Sequence, residues 1–132
     1  MQSKLNEFQP HCLSLLRIVT ALVLFSYGTQ KILHFPAAES VPAIGSLSWI
    51  AGMLELILGF CVLIGFKTRP AAFVLSGLMA CAYFIGHFPR GFYPAQNGGV
   101  ASILFCFVFL YLFVAGGGPF SVDRAMKNKQ AA

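Results

Sequence analysis

Between Cys12 and Gly116 the chain passes through four apolar stretches, each near the length of a bilayer span, divided by short breaks of proline, glycine and charge. A helical span needs about 20 residues, so four spans with short loops nearly exhaust the 132 residues and leave no room for a separate soluble catalytic domain. Only 10% of the residues are charged and 58% are hydrophobic, whereas a soluble domain is about a quarter charged. The expected fold is all-α, a four-transmembrane-helix bundle forming one membrane domain over residues 1–132. Strands are the weaker reading, because the runs are continuously apolar and lack the alternating segments of a membrane barrel.

Local signals set the expected boundaries. A first helix runs over about 12–33, with Pro36 opposing its continuation. A second covers 46–66, beginning near Ser46 or Ser48 as cap. A third covers 69–88, with Thr68 as N-cap and Pro70 in the first turn. A fourth covers 97–116, from Asn97 to the glycines before Pro119. Residues 120–132 read as a polar basic tail. The first run carries Arg17, Gln30 and Lys31 and lacks a small-residue cleavage site, so it is expected to be a retained helix and not a signal peptide.

The net charge of +5 comes from basic residues scattered at the ends of the apolar runs, which builds no face for nucleic acid. It serves better as an orientation signal. Lys4, Arg17, Lys67, Arg69, Arg124, Lys127 and Lys129 fall on one side, against Lys31 and Arg90 on the other. The positive-inside rule then predicts both termini in the cytoplasm of a multi-pass protein of the bacterial inner membrane. Trp49, Phe88, Phe92 and Tyr93 are placed like an interfacial aromatic belt. Cys12, Cys61, Cys81 and Cys106 fall one per apolar segment without metal-ligand or CxxC spacing, and read as packing residues.

Glu55 stands near the middle of the second run. A carboxylate at that depth costs about 2.5 to 3.5 kcal/mol on insertion scales, so it must face the bundle interior and be paired or protonated. Gly52, Glu55 and Gly59 share one helical stripe, and Arg17, Ala21, Leu24, Gly28 and Lys31 share another. Glycines on these stripes allow close helix packing, within one chain or in a homo-oligomer. Lys31 lies only roughly 10 to 12 Å along the bilayer normal from Glu55, and the two side chains lean toward each other. Lys31 is therefore the favoured partner over Arg17, with Tyr27 and Gln30 as intermediate hydrogen-bonding groups. Inward stripes of Ser76, Ala80, Tyr83 and His87, and of Asn97, Ala101, Leu104, Val108 and Tyr111, would complete a polar chamber. The cluster either fixes helix register or forms a ligand or proton site. His34 and His87 invite the thought of haem, but nothing in their spacing is specific for it, and no metal motif is present.

The segments RIVTALVLFSYGTQKIL, GMLELILGFCVLIGFKTRPAA, HFPRGFYPAQNGG and GGGPFSVD together resemble the DoxX family of small four-helix bacterial membrane proteins, over nearly the whole length. The resemblance implies a membrane component of a redox or thiol and oxidative-stress system. By analogy with DoxD-like relatives, a quinone head group would enter the chamber, with Lys31 or His87 donating a hydrogen bond and Glu55 handling a proton. Any enzymatic role would be that of a quinone-linked oxidoreductase subunit working with a soluble or membrane redox partner. Many relatives place a Glu after the NGG turn where this chain has Val100, so an activity needing that carboxylate is not expected here. Two further readings stay open: a non-enzymatic anchor or assembly partner for a soluble enzyme, and a small proton-coupled transporter.

Overall fold

The computed structural model describes residues 1–132 and is entirely helical. Its elements are α1 (Gln2–Leu33), α2 (Leu47–Ile64), α3 (Thr68–Ala82), the four-residue α4 (Pro94–Asn97), α5 (Val100–Ala115) and α6 (Val122–Ala131). A π turn at Tyr83–His87 and a 3-10 turn at Phe88–Arg90 extend α3. Three helices are long and apolar enough to cross a membrane, namely α1, α2 and the continuous Thr68–Arg90 segment, and α5 is a shorter apolar helix. The chain is thus a multi-pass membrane protein.

Helix ends follow the local chemistry. The Ser46 side chain accepts the Trp49 N–H at the start of α2. Gly65 closes that helix at φ 73°, while the Phe66 N–H reaches back to the Cys61 carbonyl at 2.8 Å. This left-handed residue with a backward hydrogen bond satisfies carbonyls that would otherwise be orphaned in lipid.

The core is small. Ala21 and Leu24 of α1, Val62 of α2, Ala71, Ala72, Leu75 and Met79 of α3, and Phe109 and Leu112 of α5 are buried against one another. Large apolar side chains such as Leu22, Ile57, Phe107 and Val114 point outward. That inside-out distribution suits a solvent of acyl chains, in which small residues bring helices together and large ones face lipid. The packing forms two close pairs, α1 with α2 and α3 with α5; α2 also packs on α3, whereas α1 and α5 barely meet.

Four expectations need correction. Helix α1 starts at Gln2, ten residues before the expected Cys12, and contains Pro10. The proline removes only the hydrogen bond to the Asn6 carbonyl, on an exposed stretch of the helix. Thr68 is not the N-cap of α3 but its first residue, and Asp123 supplies the cap from far along the chain. The fourth helix does not begin at Asn97, because Gly98 turns left-handed at φ 75° and separates α4 from α5. That break changes the phase of the helix. Ser102, Phe109 and Leu112 face inward, and the expected Leu104 and Tyr111 are exposed. Finally, the polar tail contains a helix, α6, capped by Ser121, with no buried residue.

Candidate functional site

The site begins with the approach of α1 to α2. A methyl group on Gly28 would stand 2.9 Å from the Leu56 backbone nitrogen, and one on Gly52 would stand 2.8 Å from Lys31 Cβ. Each helix thus offers a glycine where the other comes closest, which brings the charged positions of the two stripes side by side. Gly59 does not share this role, since its nearest neighbour would be at an ordinary 3.8 Å.

Lys31 Nζ donates to both oxygens of Glu55, at 2.8 Å to Oε1 and 3.0 Å to Oε2. Glu55 is 3% exposed, and the Lys31 side chain is 26% exposed. The pair is direct, so Tyr27 and Gln30 do not bridge it. Tyr27 instead packs edge-on to Phe105 with ring centroids 6.2 Å apart. Gln30 donates to the Ala37 carbonyl and faces the loop after α1.

The ion pair forms one wall of a cavity of about 240 Å³ at the meeting of α1, α2, the extended α3 and α5. Tyr27 and His87 also line it, and Leu24, Met79 and Phe105 supply apolar surface. Ser102, Gly98 and Ala82, which sequence reasoning passed over, complete the wall with Ala101. Ser102 was hidden by the phase change at Gly98, although a serine two turns before the buried Phe109 was a usable signal.

His87 is held by the loop that follows it. Its Nδ1 lies 3.2 Å from the Asn97 carbonyl. A carbonyl can only accept, so Nδ1 carries a proton, and in the neutral tautomer that this contact selects Nε2 is the acceptor. Asn97 is 2% exposed. Its amide donates to Tyr83 Oη at 3.2 Å and to the Gly91 carbonyl at 3.0 Å, while its oxygen accepts the Gly99 N–H at 2.8 Å. Tyr83 and Asn97 therefore stand behind the cavity as supports for His87 and do not line it. His34 is exposed at the end of α1, away from the cavity wall. No group of three or more His, Cys, Asp or Glu side chains is placed to hold a metal ion.

Arg17 does not join this cluster. It lies fourteen residues before Lys31, roughly 21 Å along the same helix. It is 1% exposed. Its Nη1 donates to the Gly117 carbonyl, and its Nη2 donates to the Phe120 carbonyl at 2.6 Å. Ser14 joins the same clamp, accepting the Phe120 N–H at 3.2 Å. This network at the basic end escaped sequence reasoning, because neither partner of Arg17 is a side chain.

A family model described as DoxX matches residues 12–88. An uncharacterized protein of Haemophilus influenzae is 35% identical over 133 residues, spanning 96% of this chain and 99% of its own length. A second uncharacterized protein of the same organism is 30% identical over 89 residues, covering 67% of this chain and 58% of that protein. No solved structure matches.

Proposed function

The chain belongs to the DoxX family, and we propose that it is a membrane-embedded component of a redox or thiol and oxidative-stress system that binds a quinone head group beside Glu55. One observation carries this reading: a buried carboxylate, paired with a partly exposed ammonium, stands in the wall of a cavity that is otherwise largely apolar. Such a site fits a ligand with a polar ring and an apolar tail. At about 240 Å³ the cavity holds a ring but not a whole drug-sized molecule, since complete ligand pockets run from about 300 Å³ upward. The tail would leave between α1 and α5, where the helices barely meet and the Tyr27 and Phe105 rings pack across the gap.

A quinone, when bound, supplies two-electron chemistry coupled to protons. The residues divide that work by their hydrogen-bonding character. Lys31 is a donor for a ring carbonyl, and its contact with Glu55 holds the ammonium in place. His87, with Nδ1 committed to Asn97, offers Nε2 as an acceptor for a ring hydroxyl, which revises the donor role expected from sequence. Glu55 is the group suited to holding a proton.

In this proposal α5 is the fourth crossing. Its sixteen residues span about 24 Å, and α4 with its turn adds length toward the roughly 30 Å of a hydrocarbon core. Both termini then lie in the cytoplasm beneath the bacterial inner membrane, in keeping with the basic residues at that end of the bundle.

The test is mass spectrometry of the gently extracted, full-length protein with extraction of its bound lipids, comparing wild type with Glu55→Gln. Quinone retained by wild type and lost from the variant is the expected result. A bundle empty of quinone that copurifies with a soluble enzyme would replace this reading with that of an anchor or assembly partner.

A further inference from the structure

The strongest feature outside the Glu55 chamber lies at the opposite, basic end of the bundle. Between α1, the turn after α5 and α6 there is an open cup of about 480 Å³. Arg69, Arg124, Lys127 and His11 line it, and the backbone of Gly116 to Pro119 forms its floor. Asp123 is the one carboxylate in the wall. Both of its oxygens are already occupied, accepting the Lys67 N–H at 2.7 Å and the Thr68 N–H at 2.9 Å. Asp123 is thus held in its capping role, and with Arg69, Arg124 and Lys127 against this single carboxylate the cup keeps an excess of positive charge.

Arg69 is fixed as well as charged. Its Nη1 donates to the Val114 carbonyl at 2.7 Å, which leaves Nε and Nη2 beside Gly116 for another acceptor. The N–H groups of Gly117 and Gly118 meet no protein acceptor in the turn they form. A fixed guanidinium with free donors and two further cations around one concavity are the chemistry of phosphate recognition.

The rim of the cup indicates where that phosphate comes from. Phe120 is 61% exposed and packs against His11 with ring centroids 5.5 Å apart. Val114, whose carbonyl accepts Arg69, is 65% exposed on the apolar surface of α5. Cations thus sit directly beside surface made for acyl chains. We propose that this cup binds the phosphate group of an anionic phospholipid, with Arg69, Arg124 and Lys127 on the headgroup and the lipid tails along α5. The site is independent of the quinone proposal, since it lies at the other end of the bundle and shares no residue with that chamber.

The test uses the full-length protein in detergent, titrated with phosphatidylglycerol or phosphatidylcholine and followed by native mass spectrometry. Two doubly substituted variants remove the same charge: Arg124→Gln with Lys127→Gln inside the cup, and Lys4→Gln with Lys129→Gln outside it. All four side chains are exposed, so folding is spared. The expected result is preferential binding of phosphatidylglycerol that weakens roughly tenfold to thirtyfold in the first variant and stays unchanged in the second. Equal losses in both variants, no loss in either, or equal binding of the two lipids would overturn the site. Inorganic phosphate is then titrated against the bound lipid. Failure to displace it supports the lipid; ready displacement keeps the phosphate assignment and moves its source to solution.

Discussion

Asp123 accepts the backbone N–H of Thr68 at 2.9 Å, across 55 residues of sequence, and so caps α3 with a side chain from the segment after α5. A second N–H, from Lys67, reaches its other oxygen at 2.7 Å. A carboxylate at a helix N-terminus satisfies orphan donors and meets the positive end of the helix dipole. Asp123→Ala is expected to lower stability by about 1 to 2 kcal/mol, and Asp123→Asn by less, because the amide oxygen still accepts one bond. Reversible unfolding in detergent measures both. Equal losses for the two variants would show that the accepting oxygen is not what matters.

The glycines on the facing stripes separate by what they touch. A methyl group on Gly28 meets backbone atoms of Leu56 and Glu55 at 2.9 and 3.2 Å, and backbone cannot swing away. Gly28→Ala is expected to destabilise the protein by about 1 to 3 kcal/mol, the usual range for overpacking. Gly59→Ala, with nothing nearer than 3.8 Å, is expected to be neutral or to add up to about 1 kcal/mol through helix propensity. Thermal unfolding of the two variants side by side decides this, and a loss in Gly59→Ala as large as in Gly28→Ala would contradict the packing argument.

Where sequence reasoning succeeded and failed follows from what each residue bonds to. The pairing of Lys31 with Glu55 was legible because helix geometry alone fixes depth and lean, and both partners are side chains. An all-helical chain with several helices long and apolar enough to cross a membrane was legible through length and apolarity, whereas the starts of α1 and α5 were not. The clamp on Arg17 was not, because its acceptors are the Gly117 and Phe120 carbonyls, and every residue has a carbonyl. The inward face of α5 was misread by about one residue because two glycines, Gly98 and Gly99, can either begin a helix or interrupt one. Only the left-handed turn at Gly98 shows which. His87 lines the cavity, but which of its ring nitrogens holds a proton follows from Asn97 behind it, which no spacing in the sequence gives.

Arg17 holds the chain that follows α5. Its two donors and the Ser14 hydroxyl tie down Gly117 and Phe120, and Asp123 follows three residues later. Arg17→Met keeps the apolar stem but frees those carbonyls. Faster amide exchange and easier proteolysis are expected across residues 117–131, together with loss of the α3 cap. Exchange in α2 and around Gly28 should change little. Uniform loosening of the whole bundle would instead make Arg17 a general core residue.

The Lys31 and Glu55 pair makes an asymmetric prediction, because the two partners differ in burial. Glu55 is 3% exposed, so Lys31→Met strands a carboxylate among helices and is expected to cost roughly 3 to 5 kcal/mol. Lys31 has a 26% exposed side chain that also lines the open cavity toward the loop after α1, so its ammonium can reach water when Glu55→Gln removes the partner. That variant should lose less. In the Glu55→Gln background, Lys31→Met should then cost much less than it does alone, since no unpaired carboxylate remains. A double-mutant cycle in reversible detergent unfolding measures the difference, and additive effects would mean that the pair contributes little to stability. A strong coupling has a consequence for the functional test: the double variant is folded without the ion pair. Loss of quinone from that protein would then report on binding chemistry and not on unfolding.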